Sequence, residues 1–365
     1  MKLPSLVVKD VRLDNCIVQG GMGVGVSLHS LAGAVAKEGG LGIISSAGLR
    51  SVVSSRDGKN VDTYTAVRSE LEKTRSLAGK GAIGINVMCA IVKDYDDTIR
   101  ASIDAGADVI SSGAGLPLGL PGIKPPGRTA LIPIVSSARA LEIIIKRWER
   151  QHYRPDAVVL EGPLAGGHLG FTKREQIDDP DFALEKLLLP VLDMAHKYGS
   201  FPVIVAGGIY THEDIIRFLR MGASGVQLGT RFLVTEESAA TEAYKQAVVL
   251  AGKDDIMVVS YPDKLPASPC GLPFRVLTSS PMYRTRREAK CDKGYVLLPG
   301  RDGKLSCQAM PTSPNNQSFL CICNGLLSSA GHAPTEPPLY TVGTNAHRID
   351  KVLPTAELMR ELRGE

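Results

Sequence analysis

PVIVAGGIYTHEDIIRFLRMGASGVQLGT, residues 202–230, holds two short apolar runs joined through a helical segment. The first run, 202–206, breaks at Gly207-Gly208; a helix is predicted over 212–221; the second run, 225–228, breaks at Gly229. Short runs rich in β-branched residues fit strands buried on both faces, and parallel strands joined by a crossover helix bury both. The unit is therefore strand, glycine loop, helix, strand.

The same unit recurs along the chain. Earlier strands are predicted at 16–19, 41–45, 82–86, 108–112, 131–136 and 157–160, with helices at 27–38, 61–78, 95–105, up to 147, and at 182–198. The eighth strand leads into a helix around 237–250. The segment 113–128 carries Pro117, Pro121, Pro125 and Pro126 and is predicted to be an irregular loop. Eight buried strands alternating with helices indicate the α/β class and favour closure into a (β/α)8 TIM barrel over an open doubly wound sheet. Glycine-rich, polar signals follow several of the strands, whereas a dinucleotide-binding sheet concentrates its glycine fingerprint after the first.

At 365 residues the chain exceeds one barrel of ~250 residues, so the expected organisation is a barrel over 1–260 and a C-terminal lid or extension over 261–365. Its 44% hydrophobic and 22% charged residues suit an ordinary α/β enzyme. The net charge of +4, without Lys/Arg blocks, argues against nucleic acid or an anionic membrane surface as partner. The N-terminus lacks a signal-peptide core and no run reaches the ~18 apolar residues of a membrane span, so a cytoplasmic location is expected. The seven cysteines are then expected as thiols or metal ligands rather than disulfides, with Cys16 and Cys89 as small core residues.

In a barrel, the residues that follow the strands converge on one face. There the sequence places Gly20-Gly21-Met22-Gly23 after the first strand, Asn86 after the third, Ser112-Gly113 after the fourth and Ser136 after the fifth. After the sixth, the stretch 156–171, DAVVLEGPLAGGHLGF, presents Glu161, then Gly166, Gly167 and His168. An imidazole has a pKa near neutrality and suits a general acid or base; the alternative is a turn whose histidine caps a carbonyl. Ala206, Gly207, Gly208, Gly229 and Thr230 follow the seventh and eighth strands. Loops at those two positions commonly hold phosphate in such barrels, because glycine amides and a hydroxyl can donate several hydrogen bonds to one anion. The alternative is that the glycines only make tight turns.

QGGMGVGVS at 19–27, GINVM at 84–88, EGPLAGGHLG at 161–170 and the run from 202 to 238 resemble the nitronate monooxygenase family, also called 2-nitropropane dioxygenases. The FMN-dependent enoyl-acyl-carrier-protein reductases II belong to the same superfamily. The resemblance covers roughly 13–275 and implies an FMN-dependent barrel. It implies that Gly207, Gly208, Gly229 and Thr230 hold the FMN phosphate. Gly21, Met22, Gly23 and Asn86 would lie against the ring, and His168 would be the acid or base. Ser136, Glu161, Gly166, Gly167 and Ala206 are expected at the cofactor as well. The implied substrates are small molecules: an alkyl nitronate oxidised with O2, or an enoyl thioester reduced with NAD(P)H as co-substrate. A flavin-binding sensor is the non-enzyme alternative; it needs no acid–base residue, and Glu161 and His168 argue against it.

Past residue 260 the pattern changes. Ser268-Pro269-Cys270-Gly271-Leu272-Pro273 still resembles a loop of the family, which usually carries an aliphatic residue at the cysteine. Residues 280–338 are rich in Pro, Ser, Asn and Cys and are expected to form a loop-rich, cysteine-containing lid or subdomain. Cys291, Cys307, Cys321 and Cys323 have the thiolates for zinc or an iron–sulfur cluster but lack paired CxxC knuckles, so no metal is expected. The segment 343–348 is expected to return to the active face, as in cysteine-tailed members that the chain resembles. The amphipathic stretch 355–362 is expected to cover the core or to form a subunit contact, which allows a homodimer.

Overall fold

The computed structural model describes residues 2–260, 272–284 and 320–365, together with the backbone of 297–299 and 305–307. Eight parallel strands, Ile17–Gln19, Leu41–Ser45, Ala82–Met88, Val109–Gly113, Ala130–Val135, Val158–Glu161, Val203–Ala206 and Gly225–Leu228, close into a barrel in chain order. The seam joins the eighth strand to the first through the pairs Val226–Ile17 and Leu228–Gln19. The fold is thus the expected (β/α)8 barrel.

The strands are short and apolar because helices cover them outside while side chains fill the interior. Helix packing is tight enough to exclude side chains at one point. A Cβ on Gly42, in the second strand, would stand 1.8 Å from the carbonyl oxygen of Ala32 in helix His29–Lys37. Caps set where helices begin. After the seventh strand, Thr211 and Asp214 form a reciprocal capping box that starts helix His212–Arg220 four residues beyond Gly207-Gly208. Helix Ala138–Glu149 buries Leu141, Ile144, Ile145 and Trp148, and the Trp148 indole donates to the Pro117 carbonyl at 2.7 Å. That bond anchors the proline-rich loop, which carries one helical turn at Leu120–Ile123.

Several elements were not expected. Helix Leu49–Asp57 lies between two left-handed glycines, Gly48 and Gly58, in a stretch to which the sequence reading assigns no element. A hairpin of Leu6–Val8 and Val11–Leu13 covers the N-terminal mouth of the barrel. Its turn residue Lys9 donates to the carbonyls of Gly127 and Thr129, just before the fifth strand.

The largest difference concerns the eighth helix. The expected helix exists as Glu242–Val249, but it packs with Leu277, Tyr340 and Val342 in a separate cluster. Helix Thr355–Arg363 covers the wall beside the seam instead, between the helices that follow the first and seventh strands. Its Met359 lies against Gly40, His212 shares a hydrogen bond with the Leu362 carbonyl, and Arg363 pairs with Glu38. Leu358, Met359 and Leu362 join the main core. Among the described residues, no helix is long and apolar enough to cross a membrane.

If helix Thr355–Arg363 is a wall of the barrel, Met359→Ala should destabilise the protein by about 2–4 kcal/mol, because Met359 is fully buried and its loss leaves a cavity. Denaturant unfolding reads this directly; a change below about 0.5 kcal/mol would mean the helix is only a surface attachment.

Candidate active site

A cavity of about 680 Å³ opens at the C-terminal ends of the strands. All fourteen residues expected at the site line it: Gly21, Met22, Gly23, Asn86, Ser136, Glu161, Gly166, Gly167, His168, Ala206, Gly207, Gly208, Gly229 and Thr230.

The first-strand loop is shaped from below by Gln19, which is fully buried. Its amide nitrogen donates to the Gly20 carbonyl and to Ser27 Oγ, and its oxygen accepts from the Ile43 amide. Ser27 Oγ in turn accepts from the Met22 amide at 2.9 Å. The loop then lies close over its neighbours: a Cβ on Gly21 would be 2.5 Å from Asn86 Cβ, and one on Gly20 would be 3.1 Å from Gln227 Cδ. This part of the wall is therefore bare backbone, with Asn86, which donates to Ser111 Oγ, and Gln227 beside it.

At the other end, Gly207 and Gly208 take φ of 95° and 85°, a conformation that a side chain would strain. Cβ atoms there would also press on Ala165 and Leu164. Gly229 precedes the turn Thr230–Leu233. Residues 343–345 close over this end. The Gly343 amide donates to Thr230 Oγ1 at 2.8 Å, the Thr344 amide to the Leu164 carbonyl, and Asn345 Nδ2 to the Gly208 carbonyl at 2.6 Å. Beside it, the Tyr210 ring lies between the guanidinium groups of Arg231 and Arg348, at 4.4 and 4.1 Å.

His168 does not sit in a free turn. Gly167–His168 is the edge of an antiparallel sheet with Phe274–Leu277 and Ile256–Val259, in which His168 pairs with Phe274 and Gly167 with Arg275. The imidazole packs edge-on against Phe274, with ring centroids 4.6 Å apart. The ring lines the cavity with its rotation restricted by that contact.

Glu161 ends the sixth strand and faces the same cavity. Desolvation raises its pKa to about 7, opposed by the charge of Arg275. Arg275 is itself buried, which pushes its pKa down to about 10, and its Nη1 donates to the Ala165 carbonyl. Among the described residues nothing donates a hydrogen bond to the Glu161 carboxyl.

Cys321 and Cys323, at the start of helix Ile322–Ser329, also line the cavity. Cys270 and Cys291 lie outside the described residues, as does most of the 268–273 loop; Cys307 is in a described strand, Leu305–Cys307. Cys16 is a core residue, as expected. Cys89 is only half-buried, with its sulfur 3.4 Å from Ser112 Oγ and near the Tyr95 hydroxyl. Among the described residues, no group of three or more His, Cys, Asp or Glu is placed to hold a metal.

The segment 343–348 returns to the active face as expected, bringing Asn345 to the cavity; sequence reasoning missed Gln227, Arg275 and Phe274. Gln227, a lone polar residue in the strand Gly225–Leu228, carried a readable signal; the others reach the site through pairings with distant segments.

The profile of the nitronate monooxygenase family matches residues 5–365. The chain belongs to this family. A Rhodococcus jostii relative named (3aS,4S,5R,7aS)-5-hydroxy-7a-methyl-1-oxo-octahydro-1H-indene-4-carboxyl-CoA dehydrogenase is 30% identical over 273 residues, 74% of this chain. The match spans 64% of that relative's length. The solved structure of FabK from Thermotoga maritima has a TM-score of 0.69 at 24% identity, covering 96% of this chain and 92% of that one. Nitroalkane oxidase from Streptomyces ansochromogenes has a TM-score of 0.65 at 22% identity, covering 97% and 96%. At these identities the two structures speak for the fold of this nitronate monooxygenase family member.

The Glu161 shift makes a pH prediction. Its folded pKa, about 7, lies above the ordinary 4.5, so the fold favours the protonated form. Its contribution to stability is complete below pH 4.5 and is lost as pH rises through 7. Over that window the flavin-free wild type should lose on the order of 1–3 kcal/mol relative to Glu161→Gln, the lower end reflecting the open cavity side. Parallel pH profiles for the two proteins in denaturant melts would contradict a raised pKa.

Proposed function

We propose that this protein is an FMN-dependent oxidoreductase that oxidises alkyl nitronates with O2, with His168 as its acid–base residue. The observation that carries the reading is one cavity with three kinds of wall: a bare glycine floor, a glycine and threonine end, and a braced imidazole.

The residues present fit FMN. A flat, glycine-walled surface at Gly20–Gly23 with the amides of Asn86 and Gln227 beside it suits a planar heteroaromatic ring. Gly207, Gly208 and Gly229 amides and the Thr230 hydroxyl suit a phosphate, since glycine lets backbone approach an anion closely. When bound, the flavin supplies the electron transfer that side chains cannot.

The chain's own residues supply the rest. His168 removes the proton from the carbon next to a nitro group, or binds the nitronate that results, at an imidazole nitrogen. Phe274 and the sheet behind it keep that nitrogen aimed at the substrate side of the cavity. Met22, Met88, Leu116 and Phe274 give an apolar surround that limits water around the reacting carbon.

A second reading, oxidation or reduction of an acyl thioester with NAD(P)H as co-substrate, is favoured by one further feature. Apolar side chains from separate segments, Ile91, Leu116, Leu320, Ile322 and Leu326, extend the cavity beyond what a small nitronate fills. The name of the Rhodococcus relative points the same way.

An anaerobic visible spectrum with successive additions of an alkyl nitronate, NADH and NADPH separates the two: bleaching by nitronate alone supports the first reading, bleaching by a pyridine nucleotide the second, and a protein that cannot be loaded with FMN overturns both. His168→Asn should keep the flavin band and lower kcat by about 100-fold or more. Gly208→Val should weaken FMN binding at least tenfold, read by fluorescence of the released flavin, while the barrel stays folded.

A further inference from the structure

Glu161 is unexplained by cofactor contact alone. It is a carboxyl at the end of a barrel strand, opening onto the cavity that His168 also lines. Its strand neighbours bring no charge to it: the paired residue on the seventh strand is Ala206, followed by Gly207, and the fifth strand ends at Val135, followed by Ser136. Arg275 is the charged group that acts on it. That arginine comes from strand Phe274–Leu277, which also braces His168, and is held in place by the Ala165 carbonyl. The charges of Asp178 and Arg174 act on Arg275 in opposite senses. The other titratable side chains on the cavity wall are His168, Tyr210, Arg231, Tyr244, Cys321 and Cys323.

We propose that Glu161 is a second proton-carrying residue of the site, donating from its acid form to the substrate oxyanion created when His168 takes a carbon-bound proton, with Arg275 as its positioning residue. The inference rests on the assignment of His168 as base. The step balances without any further reactant. A C–H bond breaks and an N–H bond forms at His168, while the electron pair moves onto the substrate oxygen. That oxygen accepts a hydrogen bond from the Glu161 carboxyl, or its proton outright, and the positive charge of Arg275 favours the carboxylate so formed. A neutral carboxyl in a poorly solvated site is a strong donor to an oxyanion and carries no repelling charge. Either substrate class yields such an oxygen, on a nitro group or on a thioester carbonyl.

Two measurements test this. The first is a carbon-13 NMR titration of glutamate carboxyls in the flavin-free full chain, with Glu161→Gln assigning the resonance. Glu161 should titrate near 7 rather than near 4.5. Arg275→Met should move that midpoint up by about one unit, and Arg275→Lys should largely restore it. The second is exchange of the α-carbon protons of nitroethane for deuterium, catalysed by the FMN-loaded enzyme. Glu161→Gln should lower its maximal rate about 100-fold with little change in half-saturation. A midpoint in the ordinary carboxylate range, a midpoint indifferent to Arg275→Met, exchange by Glu161→Gln at the wild-type rate, or no exchange by the wild type each overturns the proposal. Failure of the flavin reading would appear separately, as absent bleaching, because the titration needs no flavin.

Discussion

Gln19 spends every polar atom of its side chain inside the protein, and the site is arranged around that choice. Its amide bridges the first strand, the second strand at Ile43 and the loop that begins at Gly20. A buried amide left without partners would cost about 1–3 kcal/mol per group, so the loop has little freedom to move away. Because the first strand also closes the barrel against the eighth, the same residue links the geometry of closure to the shape of the floor. Asn86 and Gln227 are then fixed relative to that floor by the strands that carry them.

What the sequence made legible follows from what barrel strands demand. A strand covered on both faces must be apolar along its length, so its polar exit is conspicuous. Glu161, Asn86, Ser136 and the glycine pairs were readable for that reason. His168 was found too, but not what holds it, since a strand of two residues pairing with Phe274, more than a hundred positions away, leaves no periodic trace. Arg275 stayed hidden because an arginine in an apolar strand reads as an exposed edge until its burial is seen. Helix Leu49–Asp57 was missed because its serines are weak helix formers and its limits are set by backbone conformation at Gly48 and Gly58.

The C-terminal part of the chain belongs to the site rather than beside it. Residues 343–345 hydrogen-bond to loops after the sixth, seventh and eighth strands, and Ile322 and Leu326 contribute cavity wall. Such a covering adds apolar surface to the site without lengthening any one strand-end loop. The same fold can thus keep its cofactor end constant while the covering varies with the substrate.

The helix beside the seam has a consequence for biosynthesis. Strands one to eight are complete once residue 228 has been translated, yet the groove beside the junction of first and last strands stays uncovered until residue 363 emerges. At ribosomal speeds that interval is on the order of ten seconds. During it the nascent chain exposes the apolar outer face of the paired first and eighth strands, the kind of surface that chaperones hold and that aggregates when they do not.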